Sequence, residues 1–112
     1  MVWQKALDLT ELIHNLTLSF PKEEKYVLSS QIKRATDSIA LNIAEGSTGQ
    51  TNPEFARFLG MALRSGIEVV ACLHIAKKRR LIDEKMFSEL YEQVTVIIKM
   101  TQALRNKIKE KK

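Results

Sequence analysis

The sequence predicts an all-α fold, an antiparallel up-down-up-down four-helix bundle, and three observations predict it. Apolar residues recur at helical spacing through four long segments. The chain has only two prolines and four glycines, and Pro21, Gly46, Gly49 and Pro53 stand where helices would end or begin. At 112 residues and 45% apolar content the chain suits one domain, residues 1–112, with a single continuous core.

The first helix is expected over about residues 2 to 19, closed by Pro21 in Ser19-Phe20-Pro21-Lys22. The second is expected over about 24 to 45, with Gly46 at the position just past its end. After Ser47-Thr48-Gly49-Gln50 the third, about 53 to 80, starts either from Thr51 and Glu54 as a capping box or from Asn52 with Pro53 at the first helical position. Leu81-Ile82-Asp83-Glu84 is the last break, and Asp83 caps a fourth helix of about 83 to 108. Short connections between long helices favour antiparallel neighbours. Phe55, Phe58, Leu59, Ala62, Gly66, Val69, Leu73 and Ala76 form the core stripe of helix three, and Phe87, Leu90, Val94, Ile97, Thr101, Leu104 and Ile108 that of helix four. The β-branched run from Val94 to Ile98 is read as helix because the stripe continues on both sides of it and a lone strand has no partner.

Helix two carries the most distinctive pattern. At about 100° per residue, Gln31, Arg34, Ser38, Asn42 and Glu45 share one narrow sector, directly beside the apolar stripe of Leu28, Ile32, Ala35, Ile39 and Ile43. Ser29, Lys33, Thr36, Asp37 and Ala40 are left as the solvated back. A polar ladder flanking a core needs hydrogen-bond partners on a neighbouring helix or remains a half-solvated flank. With helices two and three antiparallel about Gly49, residue numbers summing to about 99 to 102 lie opposite. That register predicts partly buried ion pairs of Glu45 with Arg57 and of Arg34 with Glu68.

Helix three also has a second apolar row, Leu63, Ile67, Val70 and His74, edged by Gly60 and Ala71. Helix one has a wide face in which Trp3, Leu7, His14 and Leu18 stand beside Ala6, Leu9, Ile13, Leu16 and Phe20. One broad core face per helix would account for both. The alternative is a subunit interface through Leu63, Ile67, Val70, His74, Trp3 and Leu7, and a homo-oligomer is the expectation.

Charge is uneven. Residues 1–52 carry five Lys/Arg against six Asp/Glu, a balance of −1, and residues 53–112 carry thirteen against seven, a balance of +6. The cations cluster as Lys77, Lys78, Arg79 and Arg80 and again as Arg105, Lys107, Lys109, Lys111 and Lys112. Such clusters suit phosphates or an acidic protein, although cations also favour helix C-termini for local reasons. No uninterrupted apolar run approaches the ~20 residues of a membrane span. Trp3, Lys5 and Asp8 stand where a signal peptide would be apolar, so the expectation is a cytoplasmic protein with no membrane partner.

Little in the chain suits catalysis. The single cysteine, Cys72, excludes a disulfide framework and is read as a buried hydrophobe. Glu11-Leu12-Ile13-His14 matches half of a di-iron bundle site, but no second copy exists, because the other histidine, His74, has Glu68 on the wrong face. His14 is therefore read as packed or interfacial. Ser38, Ser65 and Cys72 have no histidine base on the same face, and Gly46-Ser47-Thr48-Gly49 lacks the Lys-Ser/Thr ending of a phosphate loop. No enzyme activity, metal or cofactor is expected.

The combination of Gln31-Ile32-Lys33-Arg34-Ala35, Ser38-Ile39, Asn42-Ile43-Ala44-Glu45-Gly46 and Glu54-Phe55-Ala56-Arg57-Phe58-Leu59 with Ala62, Ser65 and Glu68 forms a pattern. It resembles the bacterial four-helix bundle proteins encoded in intervening sequences of 23S ribosomal RNA genes. Trp3-Gln4-Lys5-Ala6 and Phe20-Pro21 fit too, so the resemblance covers nearly the whole chain. That family is similar to the accessory variability protein of diversity-generating retroelements. The resemblance implies a homopentameric, barrel-like assembly with basic surface that binds nucleic acid and, in the retroelement case, a reverse transcriptase. Family members often carry a basic residue after the glycine. Ser47-Thr48-Gly49 stands there in this chain, so no phosphate contact is expected from that loop. Two functions follow as expectations: binding of RNA or DNA through the basic clusters, or an oligomeric scaffold for a protein partner.

Overall fold

A computed structural model describes residues 1–49 and 51–111; Gln50 of the second connection and Lys112 of the basic tail lie outside the described residues. Four helices follow one another, α1 (Val2–Thr17), α2 (Leu28–Ser47), α3 (Asn52–Lys78) and α4 (Glu84–Glu110), with a short 3-10 turn at Lys22–Glu24 before α2. Neighbours in sequence pack on one another, and α1 closes the bundle with a thinner contact on α4. Contacts between Gly46 and Phe55, Ser38 and Ser65, and Gln31 and Glu68 step in opposite directions along α2 and α3. The two helices are therefore antiparallel. Gly60 against Arg105, Gly66 against Ile98 and His74 against Phe87 set the same relation between α3 and α4.

The ends of the helices show which local signals prevail. α1 stops two residues early because the N–H groups of Leu18, Ser19 and Phe20 bond to carbonyls three residues back, tightening the chain ahead of Pro21. α2 starts at Leu28, later than expected, because Val27 at φ −116° and ψ −92° separates it from the 3-10 turn that follows Pro21. Gly46 does not terminate α2. It lies buried inside the helix, where a Cβ would stand 2.8 Å from Phe55 Cδ1 and 2.9 Å from Phe58 Cβ. Close approach of α3 requires glycine there, and Gly49, at φ +24°, takes the turn. Thr51 is the α3 N-cap, accepting from the Glu54 N–H at 3.2 Å, with Pro53 in the first turn. Asp83 caps α4 by accepting from Met86 N–H at 2.8 Å. α3 ends in a 6→1, 5→2 pair of bonds, Leu81 N to Ala76 O and Arg80 N to Lys77 O. The left-handed residue that this ending needs is Arg80, at φ +62°.

The expected core stripes line a single core, with Leu9, Ile13, Ile32, Ile39, Leu59, Val69, Leu73 and Val94 almost fully enclosed. The exception is Phe58, which is half-buried at the edge of the bundle with Arg57 over its ring. The solvated back expected for α2 is corrected, since Ser29, Thr36 and Ala40 are buried. α2 has neighbours on two sides: its ladder flank meets α3, and the opposite flank, with these small residues, is covered by α1. The Thr36 hydroxyl donates to Ile32 O at 2.7 Å and Thr101 does the same to Ile97 O, so their burial leaves no polar group unpaired. α3 is long and apolar enough by length and composition to cross a bilayer, as core helices can be. It is held between α2 and α4, yet only 39% of its most apolar 18 residues are buried within the single chain.

The helices differ in length, and this positions the site. α3 and α4 have 27 residues each, α2 has 20 and α1 has 16. Lys5 and Asp8 line a cleft with Glu92, Gln93, Val96 and Ile97, which sets the start of α1 level with the middle of α4. The last turns of α4 therefore extend past α1 and are covered by α3 alone.

Candidate nucleic-acid interface

At that overhanging end, the start of α3 and the end of α4 enclose a cleft of about 440 Å³. Pro53, Ala56 and Ile108 form its apolar floor, and Arg57, Arg105, Lys109 and Lys111 stand around it with Asn52. Among the described residues, none that lines it is acidic. The Asn52 amide donates to Lys111 O at 3.2 Å, tying the two helix ends together. Arg105 Nε donates to Ala56 O at 2.9 Å across the helix interface. Gly60 makes this possible, because a Cβ there would stand 3.2 Å from Arg105 Nε and 3.3 Å from Nη2. The guanidinium is thereby held close against α3. A second cleft of about 410 Å³ continues along α3 past Gly60, Met61, Leu63 and Arg64, sharing Arg57 and Arg105 with the first.

The two basic clusters of the sequence differ in their freedom. At the far end, Lys77 pairs with Glu84 at 3.2 Å and lies 4.2 Å over the Phe87 ring. Arg79 is held by Glu24. Lys78 and Arg80 are exposed and make no ion pair among the described residues. In the second cluster Arg105, Lys109 and Lys111 converge on the cleft, whereas Lys107 is exposed on the opposite flank of α4. Arg57 joins them but is partly neutralised by Glu54 at 2.6 Å and lies 4.8 Å over Phe58.

The ladder is real but wired differently. Gln31 Nε2 donates to Glu68 Oε2, Ser65 Oγ donates to Ser38 Oγ at 2.9 Å, and Asn42 Nδ2 donates to Ser38 O and Oγ at 2.8 and 2.9 Å. Neither the Glu45 to Arg57 nor the Arg34 to Glu68 ion pair is present among the described residues. Around the helix, Asn42, Gln31 and Ser38 lie nearer the apolar stripe, and they are the ones that bond. Glu45 and Arg34 lie at the outer edge and are exposed, where solvation outweighs a long-reach pair.

Of the second apolar row, Leu63 and Val70 are half-buried and Val70 packs against the core. His74 is exposed and tilts against Phe87 with ring centroids 4.9 Å apart, while Ile67 is 63% exposed. Trp3, Leu7 and His14 are exposed on α1. Cys72 is buried; burial pushes its thiol above the ordinary value and the Glu68 carboxylate adds to the push, leaving it an inert hydrophobe. No group of three or more His, Cys, Asp or Glu that could hold a metal occurs among the described residues.

The parts of the cleft that sequence reading missed are Asn52, Gly60 and Arg64, and Arg57 was assigned to the ladder. Extending the antiparallel register from helices two and three to helices three and four would have placed Gly60 against Arg105.

The fold and site can be set beside known proteins. No curated protein matches the chain. Among solved structures, a protein of unknown function from the S23 ribosomal protein family of Bacteroides thetaiotaomicron is similar, with a TM-score of 0.88 and 27% identity over 94% of this chain and 95% of that one. The family described as 23S rRNA-intervening sequence protein matches residues 1–103. With the ladder motif, the bundle and this match in agreement, the chain belongs to the 23S rRNA-intervening sequence protein family.

Proposed function

We propose that this protein is a non-enzymatic, self-associating four-helix bundle that binds nucleic acid, structured RNA above all, through the basic end formed by α3 and α4. The observation that carries the reading is the convergence of Arg57, Arg105, Lys109 and Lys111 on one cleft with no acidic lining residue among the described residues. Arg105 is ordered in advance by Ala56 O, which lowers the entropy lost on gripping a phosphate. The family's description, tied to 23S rRNA, supports RNA as the partner. Lys78 and Arg80 at the far end supply secondary attraction, and Lys77 and Arg79, already paired, supply little.

The test is fluorescence anisotropy with a structured 23S rRNA fragment, an unrelated RNA and duplex DNA across a salt series. Binding that weakens along a straight line of log affinity against log salt supports phosphate contacts. Absence of binding at low salt, or affinity indifferent to salt, overturns the reading.

A second reading, a scaffold for a protein partner, is favoured by the apolar residues that α3 leaves exposed, Met61, Ile67 and Ile75. Self-association covering the Ile67 face accounts for the same exposure, and the family resemblance points to five copies. Salt-insensitive capture of a protein would favour the scaffold instead.

A further inference from the structure

We propose that the cleft between the start of α3 and the end of α4 is a one-nucleotide pocket, in which Pro53, Ala56 and Ile108 support the base and Arg105 with Lys109 and Lys111 hold its phosphate. The proposal rests on the nucleic-acid reading above and adds to it what the basic surface alone leaves open: which unit of the ligand is gripped, and where.

Three features of the cleft agree on this ligand. Its volume of about 440 Å³ lies in the range of small-molecule sites and is far more than a bare phosphate needs. Its floor is apolar, which gains nothing from inorganic phosphate and gains contact area from a flat base. Arg105 spends Nε on Ala56 O, so both terminal nitrogens of its five-donor fork remain for phosphate oxygens. The start of α3 faces the same space and adds the positive end of its helix dipole to a site that the side chains already define. The adjoining cleft shares Arg105 and carries Arg64, so a strand leaving the pocket meets a further cation along α3.

The base has no aromatic ring to stack on there, so the phosphate contact supplies most of the selectivity. Adenosine or phosphate alone is therefore a poor ligand compared with AMP.

The experiment follows the backbone amides of Ala56, Gly60 and Lys109 by NMR during titration with AMP, adenosine and inorganic phosphate. AMP is expected to shift them at concentrations about tenfold below those needed for either part. Arg105→Gln removes the charge, and Gly60→Ala keeps every charge while placing a methyl 3.2 Å from Arg105 Nε, so the guanidinium must give by a few tenths of an ångström. Alanine also favours helix over glycine, so Gly60→Ala is not expected to unfold α3. Both variants are expected to lose AMP affinity, Arg105→Gln by about tenfold and Gly60→Ala by less. Amides unmoved by AMP, or both variants binding AMP as the parent does, overturn the pocket. RNA bound equally by parent and Arg105→Gln overturns the pocket while the nucleic-acid reading stands. AMP bound at these amides with no RNA bound at low salt supports the pocket and overturns the reading.

Discussion

Arg79 Nη1 donates to both carboxylate oxygens of Glu24, at 2.9 and 3.1 Å, although 55 residues separate them in sequence. The contact fastens the 3-10 turn before α2 to the end of α3. Glu24 is only 15% exposed and Arg79 is 47% exposed, so water screens one side of the pair but not the other. A double-mutant cycle with Glu24→Gln and Arg79→Gln is expected to give a coupling of about 0.5 to 1 kcal/mol that shrinks at high salt. Arg79→Gln should also reduce RNA affinity less than Lys78→Gln, because the Arg79 charge is already compensated.

Arg80 holds a conformation in which its Cβ is strained, at φ +62°, to close the end of α3. Arg80→Gly is expected to raise stability by about 1 kcal/mol in urea denaturation, since glycine adopts this backbone without penalty. A loss of stability would mean that the Arg80 side chain makes compensating contacts.

Ile67 is 63% exposed at the centre of the apolar face of α3. If the proposed self-association runs through this face, Ile67→Glu is expected to lower the sedimentation coefficient to that of a single chain while leaving helical content intact, because a carboxylate buried in an apolar contact lacks a partner. An unchanged sedimentation coefficient removes this face from the assembly.

Gly46 and Gly66 differ in what surrounds them. At Gly46 a methyl would meet Phe58 Cβ at 2.9 Å, an atom fixed to the backbone, whereas at Gly66 it would meet Ile98 Cγ1 at 2.8 Å, which a side-chain rotation moves. Gly46→Ala is expected to cost about 1 to 3 kcal/mol by forcing α2 and α3 apart. Gly66→Ala should cost less, because helix propensity returns about 1 kcal/mol. Thermal melts of the two variants decide the order.

Most of the fold was legible because its signals are local. The caps and the apolar stripes depend on neighbours within one or two turns: Asp83 caps α4 as expected, Thr51 is the cap of the two alternatives for α3, and the stripes pack into the core except at Phe58. Ser29, Thr36 and Ala40 were misread because a helical wheel shows which residues are polar but not how many helices surround them. Gly46 was misread for a similar reason: a glycine at a helix end and a glycine under a phenylalanine look alike in one dimension. The cleft was half legible. Its cations stood out by type, yet the contrast between Lys109, with no ion pair among the described residues, and a neutralised Arg79 depends on Glu24, far away in the chain.

α4 outlasts α1 by eleven residues, 27 against 16, or about 16 Å of helix at 1.5 Å per residue. One end of the molecule is thus a block of four helices and the other a thinner prow, and local opening costs least where burial is least. Amides in the last turns of α4 should exchange with deuterium well before those near Leu9, Leu59 and Val94 at the enclosed centre. Whatever ligand settles on the prow clamps α4 to α3 and slows that exchange, so occupancy can be read out as local rigidity at a distance from any label.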